Sequence, residues 1–308
     1  MTYDYLTKVS INRSVTAEEC ARRLDIRKPA ASDAKDKHMV FRMNDIYLDI
    51  CDTSYQQVGW ATLAFLVGFP GFAYFGWQFV LFTHSSAIFW TLVVPCAIGC
   101  AFCAGILLKD CFNYRHKTIR FNRKNRMVYA FRHNGKNGVV AVPWDKAFFF
   151  TDRQTSSPLN GGAPTVLRCF VLAEDDKTIV NTFSFGKRTV NGGSETSAWG
   201  QKVLQELLTN FEFVRKYMEE GPESLPPIED YLPEGPSLRA SMSVLFYNFR
   251  LIRKSNPALW LLTTLVAAPM CLMALLHYIA QLTSREPVWP EDVQRASLPG
   301  EPSSTVTA

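Results

Sequence analysis

The segment Val58–Leu108, VGWATLAFLVGFPGFAYFGWQFVLFTHSSAIFWTLVVPCAIGCAFCAGILL, decides how this chain folds, because it contains no Asp, Glu, Lys or Arg. A bilayer core about 30 Å thick is crossed by about 20 apolar residues of helix, so the segment is long enough for two crossings. Its polar cluster Thr83–Ser86 marks the turn. We therefore predict a transmembrane hairpin over residues 57–109, with spans at 58–82 and 87–108.

A third apolar block, Pro257–Leu282, also lacks Asp, Glu, Lys and Arg, and it predicts a third span at residues 257–282. Basic residues crowd beside the spans, where such residues tend to stay in the cytoplasm. They include Lys109, Arg115, Lys117, Arg120, Arg250, Arg253 and Lys254. This distribution predicts a multi-pass protein of the bacterial inner membrane, with a cytoplasmic N-terminus and central segment and a periplasmic C-terminus. The same residues are candidates to contact anionic lipid headgroups, and the alternative is that they only orient the spans.

The composition also limits which partners, targeting signals and covalent links the chain can have. The net charge of +5 over 308 residues is modest and lies mostly beside the spans, so we expect no nucleic-acid partner. The first 56 residues contain no apolar signal region, so insertion is expected to start from the hairpin. None of the eight cysteines follows the third predicted span, and we therefore expect no disulfide in an oxidising compartment.

The whole pattern predicts an α+β membrane protein. Residues 1–56 are expected to form an N-terminal cytoplasmic element in which Thr16–Glu19 fits a capping box and His38–Cys51 fits a strand pair. Residues 113–220 hold short β-rich runs separated by Asn-Gly turns, which predicts an antiparallel β-meander. Apolar residues at helical spacing over Ser197–Glu220 predict an amphipathic helix that closes the sheet. This order of elements is similar to that of a pleckstrin-homology-like barrel.

Three further segments complete the predicted domain organisation. Residues 221–236 contain five prolines and form an extended linker, since proline lacks the amide that a helix or a central strand uses. Residues 237–255 alternate apolar residues with arginines, which predicts an interfacial helix in the headgroup region. Residues 283–308 hold four prolines and few apolar side chains, which predicts a disordered periplasmic tail.

Small residues in the spans are candidates for helix packing or for partner binding. Cys96, Cys100 and Cys103 share one face of the second span, and no His or carboxylate lies near them in the sequence. Close packing is therefore favoured over metal or redox chemistry. The first and third spans also carry glycines and prolines that make irregular packing surfaces. These are Gly68, Pro70, Gly71, Gly76 and Pro269.

Two histidines lie in the apolar segments, His84 in the hairpin turn and His277 in the third span. Both are expected near the outer interface, where water solvates them, and no carboxylate or arginine in the spans completes a proton relay. The chain has no phosphate loop, no nucleophile elbow, no His-Glu-x-x-His and no paired Cys-x-x-Cys. We therefore expect no enzyme activity, no metal site and no cofactor.

Five phrases of the soluble sequence stand out together. They are Ile119–Arg123 (IRFNR), Val128–Phe131 (VYAF), Trp144–Phe150 (WDKAFFF), Arg215–Pro222 (RKYMEEGP) and Leu232–Leu238 (LPEGPSL). The chain resembles, over most of residues 40–280, a family of uncharacterised proteobacterial membrane proteins often encoded beside type VI secretion genes. Some neighbours of that family are colicin-like, pore-forming effectors of the VasX type. The resemblance therefore implies immunity proteins against such effectors, and it implies no catalytic motif.

Three functional hypotheses follow. The first is an inner-membrane immunity protein that neutralises a pore-forming effector by direct binding, with the cognate toxin and membrane lipids as partners and with homo-oligomers compatible with this role. The second is a membrane-tethered lipid-sensing or scaffold module whose soluble segment binds headgroups or a cytoplasmic partner. The third is a small transporter or channel, which requires oligomers because three spans barely enclose a path.

Overall fold

The computed structural model describes most of the chain, which divides into two compact units. The described residues are 2–4, 7–55, 58–83, 86–154, 163–191, 194–228, 230–255 and 260–299. The first unit comprises Met1–Tyr55, His116–Glu234 and Pro287–Ala308, and the second comprises Gln56–Arg115 and Gly235–Glu286. The chain therefore leaves the first unit twice and returns to it twice.

The first unit starts with a small hairpin of β1 (Thr2–Asp4) and β2 (Thr7–Val9), followed by the short helix α1 (Ala17–Ala21). The Thr16 hydroxyl accepts a hydrogen bond from the Glu19 amide at 3.3 Å. The Glu19 carboxylate accepts one from the Thr16 amide at 2.8 Å. The predicted capping box at this helix is confirmed.

Five antiparallel strands form the main sheet of the first unit. In spatial order they are β3 (Val40–Met43), β4 (Tyr47–Cys51), β5 (Thr118–Asn122), β6 (Met127–Phe131) and β7 (Val139–Pro143). Because β4 pairs directly with β5, the structure joins residues 40–51 to the central segment instead of ending a separate element at residue 56. Such a pairing spans the whole apolar hairpin, and no local pattern in the sequence indicates it.

The strand register assigns different roles to the two faces of this sheet. Leu48, Phe121, Val128 and Val142 occupy one row across the four strands from β4 to β7, and all four side chains are buried in the core. Successive residues of a strand point to opposite faces. The adjacent row of Asp49, Arg120, Tyr129 and Ala141 therefore points away from that core.

A second, three-stranded sheet has the order β10-β9-β8, with β8 at Phe148–Arg153, β9 at Ala163–Leu172 and β10 at Ile179–Asn191. The helix α4 (Ala198–Glu220) follows it and confirms the predicted amphipathic helix. The Ser197 hydroxyl caps its first turn by accepting from the Gly200 amide at 3.0 Å. Gly221 ends the helix at a φ of 97°, which favours glycine.

Four helices form the second unit. They are α2 (Trp60–Phe82), α3 (Ser86–Asp110), α5 (Leu238–Ser255) and α6 (Trp260–Thr283). The helices α2 and α3 are long and apolar enough to cross a membrane, and they match the two predicted spans of the hairpin. The turn residue His84 lies outside the described residues.

Side-chain contacts within the second unit show which helix ends meet. The Thr62 hydroxyl, near the start of α2, lies 3.8 Å from the Cys111 sulfur just beyond the end of α3. The Ser241 hydroxyl, near the start of α5, lies 2.9 Å from Nδ1 of His277, near the end of α6. Each pair of helices therefore runs antiparallel. The described part of α6 includes a shorter apolar stretch, Ala267–Thr283.

The C-terminal segment differs from its prediction. The sequence predicts a disordered tail at residues 283–308, but residues 287–299 contain the helix α7 (Glu291–Ala296) and belong to the same unit as the main sheet. Val293 is buried, and Pro290 occupies the N-cap position of α7. Proline is well suited to the start of a helix, so the proline content of this segment does not prevent an ordered structure. Residues 300–308 lie outside the description.

Candidate functional site

The small residues predicted for packing largely lie between α2 and α3. A Cβ atom built on Gly68 would lie 2.9 Å from Sγ of Cys103, and one built on Gly76 would lie 3.3 Å from Cβ of Cys96. The Cys100 sulfur lies 3.8 Å from a backbone carbonyl oxygen of α2. These five residues therefore serve the internal contact of the hairpin, where small side chains let the two backbones approach closely.

The remaining predicted packing residues face outward. Pro70 and Pro269 are exposed, and a Cβ built on Gly71 meets no atom within 4 Å. Val67 and Phe75, one helical turn before and after Gly71, are 70% and 57% exposed. Gly71 is therefore the floor of a notch between two large apolar side chains on the outer surface of α2.

The basic residues predicted to contact headgroups have different environments. Arg115 lies 3.8 Å from the Glu286 carboxylate, and Lys117 is half-buried. Arg120 is 5% exposed, so its guanidinium cannot reach a lipid surface, and the expected headgroup contact is wrong for this residue. The other four lie in helices whose side chains at these positions are outside the described part of the chain. They are Lys109, Arg250, Arg253 and Lys254.

Arg120 instead forms a buried ion pair with Asp49 on the neighbouring strand. Its Nε and Nη2 donate to the two carboxylate oxygens of Asp49 at 2.8 and 2.7 Å, and its Nη1 donates to the Ser297 hydroxyl at 3.1 Å. Burial raises the pKa of the Asp49 carboxyl, and the two hydrogen bonds from Arg120 oppose that rise. The paired geometry keeps both charges satisfied in a site that excludes water.

Aromatic rings enclose the Arg120 guanidinium on two sides. Its central carbon lies 4.0 Å from the ring centroid of Tyr47 and 4.7 Å from that of Trp289. Trp289 also contacts Phe131 edge to face, with ring centroids 5.7 Å apart. Cation–π contacts with a desolvated arginine contribute roughly 1–2 kcal/mol each. The stacked arginine therefore stabilises the packing of Trp289, and with it the C-terminal residues, on the outer face of the sheet.

We call residues 287–299 the C-terminal strap, because they lie across the outer face of β5 and β6. The side-chain Nδ2 of Asn122 donates to the Ala296 carbonyl oxygen at 2.9 Å, and Nζ of Lys124 donates to the Leu298 carbonyl oxygen at 3.3 Å. At the other end of the strap, the Val288 amide donates to Oδ1 of Asn134 at 2.9 Å. These contacts fix both ends of the strap on strand and hairpin residues.

A groove of about 1030 Å³ lies between the C-terminal strap and the hairpin that joins β6 to β7. Its floor includes Tyr129, Val139 and Ala141, and its strap side runs from Val288 to Gln294. Lys136 lies at the hairpin end. The groove is therefore apolar at its floor, with charged residues at its margin.

A second buried polar cluster lies in the second unit around His277, which is 1% exposed. Its Nδ1 faces the Ser241 hydroxyl, and its Nε2 lies 3.5 Å from the amide nitrogen of Gln281. A Cβ built on Gly59 would lie 3.0 Å from the His277 backbone nitrogen. The predicted solvation of His277 by interfacial water is therefore wrong, because neighbouring helices bury the ring.

The described residues show few features of a catalytic centre. Among them, no group of three His, Cys, Asp or Glu side chains is arranged to hold a metal ion. Burial raises the pKa of the Cys51 thiol and of the Cys169 thiol, which makes both poor nucleophiles at neutral pH.

Sequence reasoning missed Asp49, Tyr47 and Trp289. Asp49 is a carboxylate within the β-rich run Tyr47–Cys51, and a charge inside such a run signals a partner on a neighbouring strand. Arg120 holds the same position in its own run. Neither signal identifies Trp289, because the strap joins the sheet only after the second excursion of the chain.

Residues 97–301 match a family described as "Family of unknown function (DUF6708)". Neither the curated proteins nor the solved structures gave a significant match.

Proposed function

This chain belongs to the DUF6708 family, a family of unknown function, and we propose that it is an inner-membrane immunity protein that neutralises a type VI secretion pore-forming effector by direct binding. The observation that carries the proposal is the outward apolar surface of α2 and α3. The most apolar windows of these helices are 0% and 6% buried. In water such surfaces would be costly, so a lipid environment and an apolar partner suit them.

A binding mechanism follows from the physics of helix association in lipid. Lipid tails are as apolar as leucine, so helices associate through close packing and not through release of water. The notch at Gly71, between Val67 and Phe75, offers space for a ridge of side chains on a foreign helix. A pore-forming effector inserts such helices into the same bilayer, and their capture before assembly would prevent the pore.

The link to type VI secretion rests on the resemblance of phrases such as Trp144–Phe150 and Arg215–Pro222. Both lie within the family match at residues 97–301, which assigns no activity. The order of strands followed by α4 supports a pleckstrin-homology-like barrel as a proposal for the first unit. Such folds host many functions, so the proposal for function depends on the membrane helices and not on the barrel.

We assign the first unit, including the C-terminal strap, to the cytoplasmic side. Each excursion of the chain, Gln56–Arg115 and Gly235–Glu286, begins and ends at that unit. An excursion that returns to its starting side crosses a membrane an even number of times. The pair α2 and α3 supplies two crossings, and the antiparallel pair of α5 and α6 brings the chain back to the side from which it left. This assignment differs from the single third span and periplasmic C-terminus that the sequence predicts.

The decisive experiment produces a candidate pore-forming effector encoded beside this gene in the periplasm of a sensitive host, with and without this chain. Membrane potential is followed with a voltage-sensitive dye. We expect depolarisation without the chain and at least tenfold less depolarisation with it. Equal depolarisation in the two strains would contradict the proposed function.

A matched pair of variants tests the docking face. Gly71→Leu fills the notch on α2, and Gly105→Leu adds the same side chain on α3, where a Cβ also meets no atom within 4 Å. We expect the Gly71 variant to lose protection and the Gly105 variant to keep it, at equal amounts of chain in the membrane. Protection by both variants would remove the notch from the mechanism.

The lipid-sensing alternative receives less support from the described basic side chains. Arg120 is committed to Asp49, and Arg126 contacts the carboxylates of Asp145 and Glu219 at 2.7 and 2.9 Å. Guanidinium groups in ion pairs contribute little to binding of anionic lipid. Binding of the detergent-purified chain to anionic vesicles with a strong salt dependence would restore this alternative.

A further inference from the structure

The strand β7 is an open edge of the main sheet. The opposite edge strand β3 is covered, because the Leu232 amide donates to the Val40 carbonyl oxygen at 2.7 Å and Glu234 pairs with Arg42. Across the ranges that the structure describes, no backbone hydrogen bond joins the outer side of β7 to another segment. An uncovered edge presents free amides and carbonyls that can pair with a further strand.

The hydrogen-bond register identifies the groups that face outward. The Arg132 amide donates to the Gly138 carbonyl oxygen, and the Trp144 amide donates to the Arg126 carbonyl oxygen, both at 2.8 Å. In an antiparallel pair, hydrogen-bonded and non-hydrogen-bonded residue pairs alternate. The odd-numbered residues of β7 therefore turn their backbone groups away from β6. They are Val139, Ala141 and Pro143, and proline at such a position costs no ladder hydrogen bond.

The groove lies on the face of the sheet that carries the side chains of Val139 and Ala141. An added strand would place every second side chain on this face, beside the C-terminal strap. The groove has a volume of about 1030 Å³, which is more than short side chains on the added strand would fill. Large apolar side chains of a partner strand match this space and the apolar floor.

The charges along the strap side favour a basic partner. Glu291 and Asp292 are exposed members of the groove lining, and Lys136 stands at the hairpin end. Glu291 has a contact of 3.9 Å with Arg295, in which both side chains are largely exposed. Two carboxylates against one ammonium give the lining a net negative charge, and a basic side chain on the bound strand complements it.

We propose that β7 binds an extended segment of a partner protein as a sixth strand, with bulky apolar side chains in the groove and a basic side chain facing Glu291 and Asp292. Backbone pairing supplies affinity, and the groove supplies selectivity. A second copy of this chain fits less well, because the β7 residues Val139 and Ala141 are too small to fill the groove. The proposal concerns the first unit and does not depend on capture of a toxin by α2.

The test uses the full-length chain in lipid nanodiscs and a phage-displayed library of random 12-residue peptides. We expect enrichment of peptides with alternating bulky apolar residues and a Lys or Arg. A synthetic peptide of the enriched sequence should bind the chain with a micromolar Kd. The absence of enrichment over empty nanodiscs would overturn the proposal.

Variants at Ala141 separate strand addition from other binding. Ala141→Pro removes one outward amide without breaking a β6 hydrogen bond, and Ala141→Ser keeps that amide at nearly the same size. We expect at least tenfold weaker peptide binding by the proline variant, unchanged binding by the serine variant and equal thermal midpoints for both. Equal affinity of the two variants would overturn the proposal.

A second arm tests the charge and the alternative occupant. The double variant Glu291→Gln, Asp292→Asn should weaken the peptide by threefold to tenfold at low salt and by less at high salt. A dimer of the wild-type nanodisc-free chain in detergent that Ala141→Pro dissociates would show a second copy on β7 and overturn the peptide proposal.

Discussion

Arg120 and Asp49 lie opposite each other on β5 and β4, and their side chains are 7% and 6% exposed. A buried charge without its partner has a large desolvation cost, whereas a satisfied pair is nearly neutral relative to well-packed apolar residues. The pair therefore contributes specificity: it fixes the register of two strands that are distant in the sequence and orients the ring of Trp289.

We predict a strong coupling between these two residues. Arg120→Met should lower the free energy of unfolding by about 3–5 kcal/mol, because it leaves the Asp49 carboxylate buried and unpaired. The double variant with Asp49→Leu should recover much of this loss. Urea unfolding of the full chain in detergent micelles measures both. Additive losses in the double variant would contradict the coupling.

The same pair predicts the direction of a pH effect. Burial raises the pKa of the Asp49 carboxyl, and loss of Arg120 raises that pKa further. When the pKa of a carboxyl is higher in the folded state than in the unfolded state, the group destabilises the fold. The destabilisation is smallest below the unfolded pKa and largest above the folded pKa. The deficit of Arg120→Met should therefore be larger at pH 7 than at pH 4 in the same titrations.

Arg126 predicts a pH effect in the same direction on the surface, through lowered instead of raised carboxyl pKa values. Its hydrogen bonds lower the pKa of Asp145, and for Glu219 hydrogen bonds from Arg126 and Trp144 outweigh burial and lower the pKa. Stability from lowered carboxyl pKa values is present above about pH 4 and is lost as the pH falls. Arg126→Gln should cost at most about 1 kcal/mol at pH 7, since Arg126 and Asp145 are 40% and 52% exposed, and almost nothing at pH 3.

The control for this titration is Lys146→Gln, which removes one exposed charge beside Asp145. We expect the lysine variant to show no pH-dependent difference from wild type in urea unfolding. An equal effect of the two variants would assign the change to net charge instead of the Arg126 hydrogen bonds.

At the scale of elements, α2 and α3 form a hairpin in which the two helices pack closely because glycines of α2 lie at their contact. Gly68 faces Cys103, and Gly76 faces Cys96, whereas Gly71 one turn away from Gly68 faces open space. The glycines of one helix therefore have different roles, which depend only on the side of the helix where each glycine lies. Sequence position alone does not separate them.

We predict that Gly68→Val destabilises the chain by roughly 1–3 kcal/mol, because its Cβ would lie 2.9 Å from the Cys103 sulfur. The matched variant Gly71→Val should change stability by less than about 0.5 kcal/mol. Thermal unfolding in detergent micelles compares them. Cys103→Ala should partly rescue the Gly68 variant, and failure of this rescue would show that the contact is not the cause.

At the scale of the whole molecule, connectivity constrains how the chain can cross a membrane. Three separate segments of sequence build the first unit, and two excursions build the second. Because each excursion returns to the first unit, the proposed topology has an even number of crossings in each.

We predict that reporters at two distant sites of the first unit lie on the same side of the membrane. A phosphatase or green fluorescent protein inserted in the turn at Asp175 and one fused after Pro299 should both report the cytoplasm. A reporter inserted between Thr83 and Ser86 should report the periplasm. Opposite sides for Asp175 and Pro299 would contradict the even number of crossings.

Several features of the fold follow from residues that are neighbours in the chain. The charge-free stretch Val58–Leu108 predicts α2 and α3, the Thr16 capping box is present, and helical spacing predicts α4 to within one residue. Short strands with Asn-Gly turns predict the antiparallel pairing of β6 and β7. Each of these follows from local periodicity, capping or turn geometry, which a single window of sequence contains.

Other features join residues that are distant in the chain, and these became visible in the folded molecule alone. It pairs Asp49 with Arg120 and seats Trp289 on that pair. It brings residues 287–299 onto the sheet instead of leaving them disordered, and it leaves β7 as an open edge. The free energy of these contacts depends on surfaces that exist only after β4, β5 and β6 have assembled. The charges at residues 49 and 120 therefore signal that a partner is needed but do not identify it, and nothing near residue 289 signals its contact.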